Sequence, residues 1–442
     1  MKIQLSDHFT YKKLIRFSMS PILMLLFVSI YGIVDGLFVS NFVGKEAFTA
    51  INLIMPYTYI FGGFGFMIGT GGCALVGKKL GEKDSATANR YFSMLVKLVA
   101  YGGILIALFS ILILKPVAIG LGATGSMLKH ALIYGFIILL FNPIFMLQNL
   151  FQNFLATAER PKLGLYVTII AGVSNMILDA IFIVGFKMGV MGAALATGLA
   201  QAIGAILPLI YFIRPNNSLL QLRRVHLELA PIVKASTNGI SEAISNVSGS
   251  IVGMLYNFML LKFGGPDAVA AFGVLLYMQF IFTAIFIGYT IGTAPIISYH
   301  YGANNHEEVK SLLRKSIILL AIIGILMSIT SAIISGPVSK LFVGYDEALY
   351  KMTKHAYLIF ALSFVLVGIN VFTSSFFTAL NNGLASGILS TLRTLVFQVA
   401  SVLLLGFIFK LEGIWWALIL SEMLALIVSI SFLTCYKRKY QY

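Results

Sequence analysis

Twelve long apolar runs occupy most of this chain, and they restrict its fold more than any other feature of the sequence. About 20 predominantly apolar residues carry a helix across a bilayer. Only 11% of the residues are Asp, Glu, Lys or Arg, whereas roughly 25% is usual in soluble domains. The sequence therefore predicts an all-α integral membrane protein. The twelve predicted transmembrane helices lie at 14–40, 47–77, 91–115, 127–156, 162–186, 189–213, 233–262, 267–299, 311–337, 350–380, 384–409 and 412–436.

The basic residues are divided unequally between the two ends of these helices. The chain has 31 Lys and Arg residues against 16 Asp and Glu. Twenty of them, beginning with Lys2, Lys12 and Lys13, fall on the side of the N-terminus, and nine fall on the other side. Because Lys and Arg accumulate in cytoplasmic loops, we expect a multi-pass protein of the cytoplasmic membrane with both termini in the cytoplasm. Since no basic stripe with interleaved aromatic residues is present, we expect no nucleic-acid partner.

The two halves of the chain repeat one another with an offset of 221 residues. The segment GGCALVGKKLG ends at Gly81, and its counterpart GTAPIISYHYG ends at Gly302. Each half begins and ends on the same side, so the halves are parallel six-helix repeats, which in known transporters place a substrate path between them. The predicted domains are an N-terminal six-helix lobe (1–213), a cytoplasmic connecting loop (214–232) and a C-terminal six-helix lobe (233–442).

Three motifs stand at these repeat positions: GTGGCALVGKKLGEKD at the end of the second helix, its counterpart IGTAPIISYHYGANNHEE, and GVMGAALAT at the start of the sixth helix. Over essentially the whole chain they resemble the motifs of the multidrug and toxic compound extrusion (MATE) transporters. The resemblance implies a V-shaped pair of lobes and cation-coupled export of diverse, often cationic, organic compounds. It implies H⁺ or Na⁺ as the coupling ion and no other cofactor. We expect a monomer in the lipid bilayer.

The residues that this family uses for cation coupling have counterparts in the first half of the chain. The resemblance assigns that role to Asp35, Tyr134, Asn175, Asp179 and Thr197. Pro21 corresponds to the family's bend-forming proline. A proline removes one helical hydrogen bond and can kink its helix, so Pro21 either switches the first helix or is merely tolerated there.

One branch of the family has a second cation site, built on a Glu of helix seven and an Asp of helix ten. Helix ten of this chain carries no acid (LVGINVFTSSFF), and helix seven offers only Glu242 near its start. The predicted coupling site is therefore asymmetric and lies in the first half only.

Helix geometry also brings the first-half residues together without the resemblance. At ~1.5 Å per residue, Asp35 lies ~9 Å and both Asp179 and Thr197 lie ~12 Å from the external ends of their helices. Asn175 shares a helix face with Asp179, four residues away. Two carboxylates in a low dielectric do not both ionise readily, so we expect the pair to hold a proton, or Na⁺ as its only metal. The alternative is two separately hydrogen-bonded acids with a structural role.

Further polar residues within the apolar helices each allow two interpretations. Arg393 and Glu422 both reach the middle of the second half, where they form a lobe-orienting ion pair. Alternatively, Glu422 or Glu242 presents charge to a cationic substrate. Gln148 and Gln152 lie one helical turn apart on the cytoplasmic half of helix four, where they line a wet cleft or join helices.

These patterns favour a secondary-active exporter of small organic, often cationic, substrates. With 35 Phe, 20 Tyr and 17 Met, an aromatic and methionine-lined cleft suits flat cations. The alternative is a flippase for a lipid-linked or amphipathic metabolite of the same wider superfamily, which needs intramembrane cations, and only Lys97 and Arg393 qualify. The two cysteines and six histidines show no metal-ligand or disulfide spacing, and no nucleophile–base arrangement indicates an enzyme.

Overall fold

Six long helices form the N-terminal half of the protein, whose computed structural model describes residues 3–442. Met1 and Lys2, the latter counted among the cytoplasmic basic residues, lie outside the described residues. The six helices are α1 (Tyr11–Phe38, continued by the π-helical Val39–Val43), α2 (Lys45–Gly81), α3 (Ser85–Gly120), α4 (Gly125–Thr157), α5 (Pro161–Asp179, continued by the π-helical Ala180–Gly185) and α6 (Val190–Ile213).

The C-terminal half repeats this order with two helices divided. After the connection 214–228, its helices are α7 (Leu229–Asn238), α8 (240–264), α9 (266–302), α10 (His306–Val343), α11 (Glu347–Leu362), α12 (Phe364–Ala379), α13 (383–409, with the π-helical Leu392–Val396) and α14 (411–440). The side on which α1 begins and α14 ends is called the terminal side below.

The number of membrane crossings agrees with the sequence prediction. Nine continuous helices among residues 3–442 are long and apolar enough to cross a membrane, and the α11–α12 pair adds a tenth. Two of the nine are interrupted by a single residue with non-helical backbone, Gly265 and Lys410. Each interruption divides two crossings, so the count is twelve.

Two predicted single helices are divided in the structure. The predicted helix 233–262 is α7 and α8, which meet at Gly239. The predicted helix 350–380 is α11 and α12, which are bent by 45° at Ser363. The Ser363 hydroxyl donates a hydrogen bond to the Phe360 carbonyl oxygen at 2.7 Å. Such local hydrogen bonds compete with the helical pattern and bend helices.

Helix ends recur at the repeat spacing, with one local change. Lys45–Gly81 and 266–302 differ by 221 residues, whereas Gly125–Thr157 and 347–379 differ by 222. Equivalent contacts agree with this assignment, because Gly65 packs on Met146 in the first half and Phe286 packs on Gly368 in the second. The domain limits 1–213, 214–232 and 233–442 stay a prediction.

The two halves approach most closely on the terminal side. A methyl group added at Gly81 would collide with the Tyr299 carbonyl oxygen, and one added at Gly288 would lie 2.5 Å from Cα of Ile22. Glycine is required where backbones approach this closely. By contrast, a methyl group added at Gly249 or Gly273 would have no neighbour within 4 Å. The lobes are therefore in contact at the terminal side and leave faces of α8 and α9 free.

The first described residues, 3–10, cross from one half to the other and are called the N-terminal strap. The Leu5 amide donates a hydrogen bond to Oε1 of Glu159 in the first half at 2.7 Å. The Phe9 amide donates to Oε1 of Glu308 in the second half at 2.9 Å, and Nδ1 of His8 lies 2.6 Å from Oε2 of the same carboxylate. Leu5 and Phe9 are fully buried. The strap is thus part of the contact between the halves.

Candidate cation site

Two carboxylates meet inside the N-terminal lobe. Asp35 lies near the end of α1, and Asp179 is the last α-helical residue of α5. Their carboxyl groups lie close enough to interact electrostatically. Within the described part of the chain, both oxygens of the buried Asp179 and Oδ1 of Asp35 have no hydrogen-bond partner. Ionised carboxylates only accept hydrogen bonds, so the two groups bond to each other only when one carries a proton.

The other three residues of the predicted cluster come from α4, α5 and α6. Tyr134 is 3% exposed and lies close enough to both carboxylates for direct electrostatic interaction. Asn175 is buried one turn before Asp179 on α5, and its Nδ2 has no partner among residues 3–442. Thr197 lies on α6, which packs against α5, and its buried Oγ1 is likewise without a partner in the described chain. The structure thus places Tyr134 near the carboxylate pair and adds two unpartnered polar atoms, Nδ2 of Asn175 on α5 and Oγ1 of Thr197 on α6.

This arrangement suits one small cation. Neither Asp35 nor Asp179 has an ion-pair partner in the range 3–442. Two negative charges this close in a low dielectric repel, and a shared proton removes the repulsion. Carboxylate and hydroxyl oxygens, such as those of Asp35, Asp179 and Thr197, are also ligands that hard cations prefer. The residues present therefore fit either H⁺ or Na⁺.

Two tyrosines near this pair were not predicted from the sequence. Tyr31 and Tyr59 both lie within electrostatic range of Asp35. Tyr31 precedes Asp35 by one helical turn, a spacing that places both on one face of α1. That spacing could have indicated Tyr31 as a neighbour of Asp35. Because the chain has 20 tyrosines, however, the presence of one at this spacing is not informative by itself.

The C-terminal lobe contains a buried ion pair. Nε of Arg393 donates to both oxygens of Glu422 at 3.0 Å, and Nη2 lies 2.9 Å from Oε1. Nδ2 of Asn370 donates to Oε2 of Glu422 at 2.8 Å, and the Ser429 hydroxyl donates to Oδ1 of Asn370 at 3.0 Å. Glu422 is 1% exposed. Every oxygen of this carboxylate is therefore paired, in contrast to Asp179.

Glu242 gives this part of the C-terminal lobe a second acid. It lies on α8 within electrostatic range of Arg393. Its carboxylate forms no ion pair in the described chain, whereas Glu422 binds the guanidinium directly. Arg393 thus has two acids within electrostatic range, only one of which it binds directly.

Comparison with known proteins now identifies the family. The profile of the MatE family matches residues 21–181 and again residues 243–404. The chain belongs to the MatE family. The two matched segments also correspond to the two repeats.

Relatives and solved structures agree with the MatE assignment. Multidrug export protein MepA of Staphylococcus aureus strain MRSA252 is 26% identical over 422 residues, covering 94% of this chain and 91% of the relative. MepA of Staphylococcus saprophyticus is 24% identical over 420 residues, covering 93% and 91%. A crystal structure of MATE in complex with MaL6 has a TM-score of 0.93 at 21% identity over 98% of both chains. An outward-facing multidrug resistance MATE transporter has a TM-score of 0.92 at 21% identity over 98% and 97%. The predicted fold class is confirmed.

The remaining predicted residues lie inside this MatE fold rather than in one site. Gln148 and Gln152 are 4% and 9% exposed, so neither lines an open cleft. Nε2 of Gln152 donates to Oγ1 of Thr168 on α5 at 3.5 Å. α1 continues as one helix through Pro21. The Pro21 carbonyl oxygen would lie 2.9 Å from a methyl group added at Gly288, so α1 packs closely against α9 at this position.

The three π-helical segments among residues 3–442 of this MatE protein each adjoin an intramembrane ionisable residue. One begins four residues after Asp35, one begins directly after Asp179, and the third contains Arg393. Single π-helical turns are often found at functional sites because they change the direction of side chains within a helix. The charges of both lobes thus lie where the regular helical pattern is interrupted.

Proposed function

We propose that this protein is a secondary-active multidrug exporter that exchanges organic, often cationic, compounds for H⁺ or Na⁺ through Asp35 and Asp179. One observation carries the proposal. Two neighbouring carboxylates lie inside the N-terminal lobe, and neither has a basic partner in the described chain. Intramembrane acids are costly and mark ion or substrate pathways. A cation that binds the pair removes this cost, so cation binding can drive a conformational change.

The direction of transport follows from the proposed orientation. The terminal side, where most basic residues lie, faces the cytoplasm. The lobes are in contact at that side, so the free faces of α8 and α9 belong to a cleft open to the exterior. Cation entry from outside then favours substrate release, and rocking of one lobe against the other returns the cleft to the cytoplasm. The protein acts as a monomer in the cytoplasmic membrane, and it is a transporter rather than an enzyme.

Glu242 supports a preference for cationic substrates, because it is an acid near the Arg393–Glu422 pair that no direct ion pair neutralises in the described chain. A flippase for pyrophosphate-linked lipids would need intramembrane basic residues that are free to bind the pyrophosphate, and the two candidates are already engaged. Arg393 is engaged by Glu422, and Lys97 donates a hydrogen bond to the Val225 carbonyl oxygen at 2.6 Å.

Ethidium efflux from proteoliposomes tests the proposal. Proton and sodium gradients are imposed separately on the wild type, on Asp35→Asn and on Asp179→Asn. We expect one gradient to drive efflux in the wild type and each variant to lose at least about 90% of the driven rate, because neutral asparagine retains size but cannot exchange a proton or bind the cation as tightly. Asp267→Asn, a surface change at the start of α9, is the matched control. Wild-type rates in both Asp35→Asn and Asp179→Asn would rule out the proposed coupling.

A further inference from the structure

Polar positions on α4 and α6 recur in the second half. At the repeat spacings of 222 and 221, Gln148 corresponds to Asn370 and Gln201 corresponds to Glu422. In the second half these two side chains are joined by the 2.8 Å hydrogen bond. In the first half, a methyl group added at Gly204 would lie 2.7 Å from Cδ of Gln148. Gly204 and Gln201 are three residues apart on one face of α6. The two glutamines are therefore neighbours, as their counterparts are.

The lobes differ in the hydrogen-bond partners available to this pair of side chains. In the C-terminal lobe, the guanidinium of Arg393 binds Glu422. The residue at the place of Arg393 in the first half is Ala171, whose methyl group offers no hydrogen-bond donor. Oε1 of Gln148 and Oε1 of Gln201 are both buried without a partner among residues 3–442. A carbonyl oxygen only accepts hydrogen bonds, so both atoms require a donor or a cation.

We propose that Gln148 and Gln201 bind a monovalent cation inside the N-terminal lobe, in the position that corresponds to the Arg393 guanidinium in the C-terminal lobe. Protein carbonyl oxygens replace the hydration shell of Na⁺ or K⁺ and also accept hydrogen bonds from hydronium. Two independent observations meet here. The acceptors are orphaned, and the equivalent place in the other repeat holds a positive charge.

The position of this glutamine site indicates when a cation would occupy it during transport. This step rests on the proposed cation coupling through Asp35 and Asp179. Gln201 follows Thr197 by one turn of α6, a Cβ separation of ~6 Å. The glutamines are on the terminal side of Thr197, since α6 runs toward the terminal side. A cation that leaves Asp35 and Asp179 toward the cytoplasm therefore reaches the glutamines next.

Methionine matches glutamine in length and removes the carbonyl oxygen, so Gln148→Met and Gln201→Met test the site in the full-length protein. Gln398→Met on α13, outside both polar clusters, is the control. Ethidium efflux is measured in proteoliposomes with an inward Na⁺ gradient at pH 8 and, separately, an inward proton gradient without Na⁺. We expect at least a tenfold slower driven efflux in both site variants, with ethidium affinity in detergent within twofold of wild type and no change in the control.

A second variant places the positive charge within the protein itself. Ala171→Arg combined with Gln201→Glu copies the C-terminal arrangement into the first half, and we expect this protein to be blocked in cation-driven efflux. Thermal unfolding separates a folded, blocked protein from a misfolded one. If this variant does not fold, the methionine variants decide.

The outcomes separate the two proposals. Wild-type efflux that depends on a gradient, together with unaltered rates in folded Gln148→Met and Gln201→Met, would overturn the glutamine site and leave the coupling proposal standing. Efflux that depends on neither gradient in the wild type would overturn both. The gradient that drives wild-type efflux identifies the cation as Na⁺ or as a proton species.

Discussion

Replacing Arg393 by methionine should destabilise the protein more than replacing Glu422. Glu422 is 1% exposed, whereas the Arg393 side chain is 19% exposed. Without Arg393, the Glu422 carboxylate is left buried with the Asn370 amide as its remaining partner. Removal of one member of a buried ion pair costs about 3–5 kcal/mol. Without Glu422, the guanidinium keeps some contact with water, so we expect a loss of about 2 kcal/mol, the value of a charged hydrogen bond.

The double variant Arg393→Met, Glu422→Met provides the decisive comparison. Replacement of a whole buried ion pair by apolar side chains of similar volume is neutral or stabilising. We therefore expect the double variant to unfold within about 1 kcal/mol of wild type, with a coupling free energy of several kcal/mol between the two positions. The measurement is thermal unfolding in detergent micelles. The fraction of folded protein is monitored as the height of the monodisperse peak in size-exclusion chromatography.

Gln398→Met on α13 is the control for a glutamine-to-methionine change, because it removes neither member of the ion pair. We expect its stability change to stay below about 1 kcal/mol. If Arg393→Met and the double variant were equally destabilised, the cost would come from lost packing rather than from an unpaired charge. The reasoning about the ion pair would then be refuted.

Three further substitutions and one control test the fold. Lys410→Gly should stabilise the protein by about 1 kcal/mol, because φ 51° and ψ −131° strain a residue with a Cβ atom; an unchanged unfolding temperature would contradict this. Gly81→Leu should push α2 away from the Tyr299 carbonyl oxygen and abolish efflux while the protein still reaches the membrane; normal efflux would show that the contact is dispensable. Glu308→Ala should cost about 1–3 kcal/mol by leaving a strap amide without its acceptor, and the exposed Glu307→Ala should change thermal stability by less than about 0.5 kcal/mol.

Much of the fold was predictable because the bilayer restricts what an apolar run can become. A run of 20 apolar residues crosses as a helix, since its backbone groups have no other partners in hydrocarbon. The repeat was visible because glycines such as Gly81 and Gly302 are fixed by close backbone contact between the halves. The bend at Ser363 was not predicted, since one serine in a long apolar run does not reveal whether its hydroxyl bonds to the preceding turn.

The candidate site was predictable only in part. Asp35 and Asp179 stand out because acids are rare in apolar helices, and the structure places them side by side. The proximity of Gln148 to Gln201 could not be predicted from the sequence. It follows from matching Gln148 to Asn370, and that match needs the spacing of 222 residues over α4, which only the helix ends in the structure reveal. Whether a buried amide is satisfied depends on the atoms of other helices, and sequence spacing within one helix does not supply them.

The strap has a practical consequence for experiments on this protein. Leu5 is fully buried and bonded to Glu159, so a change within residues 3–10 would alter a contact between the lobes. Tyr442 is also largely buried, at 6% exposure. A tag that displaces either segment would therefore disturb packed residues, and efflux rates of tagged and proteolytically untagged protein should be compared before any mechanistic measurement.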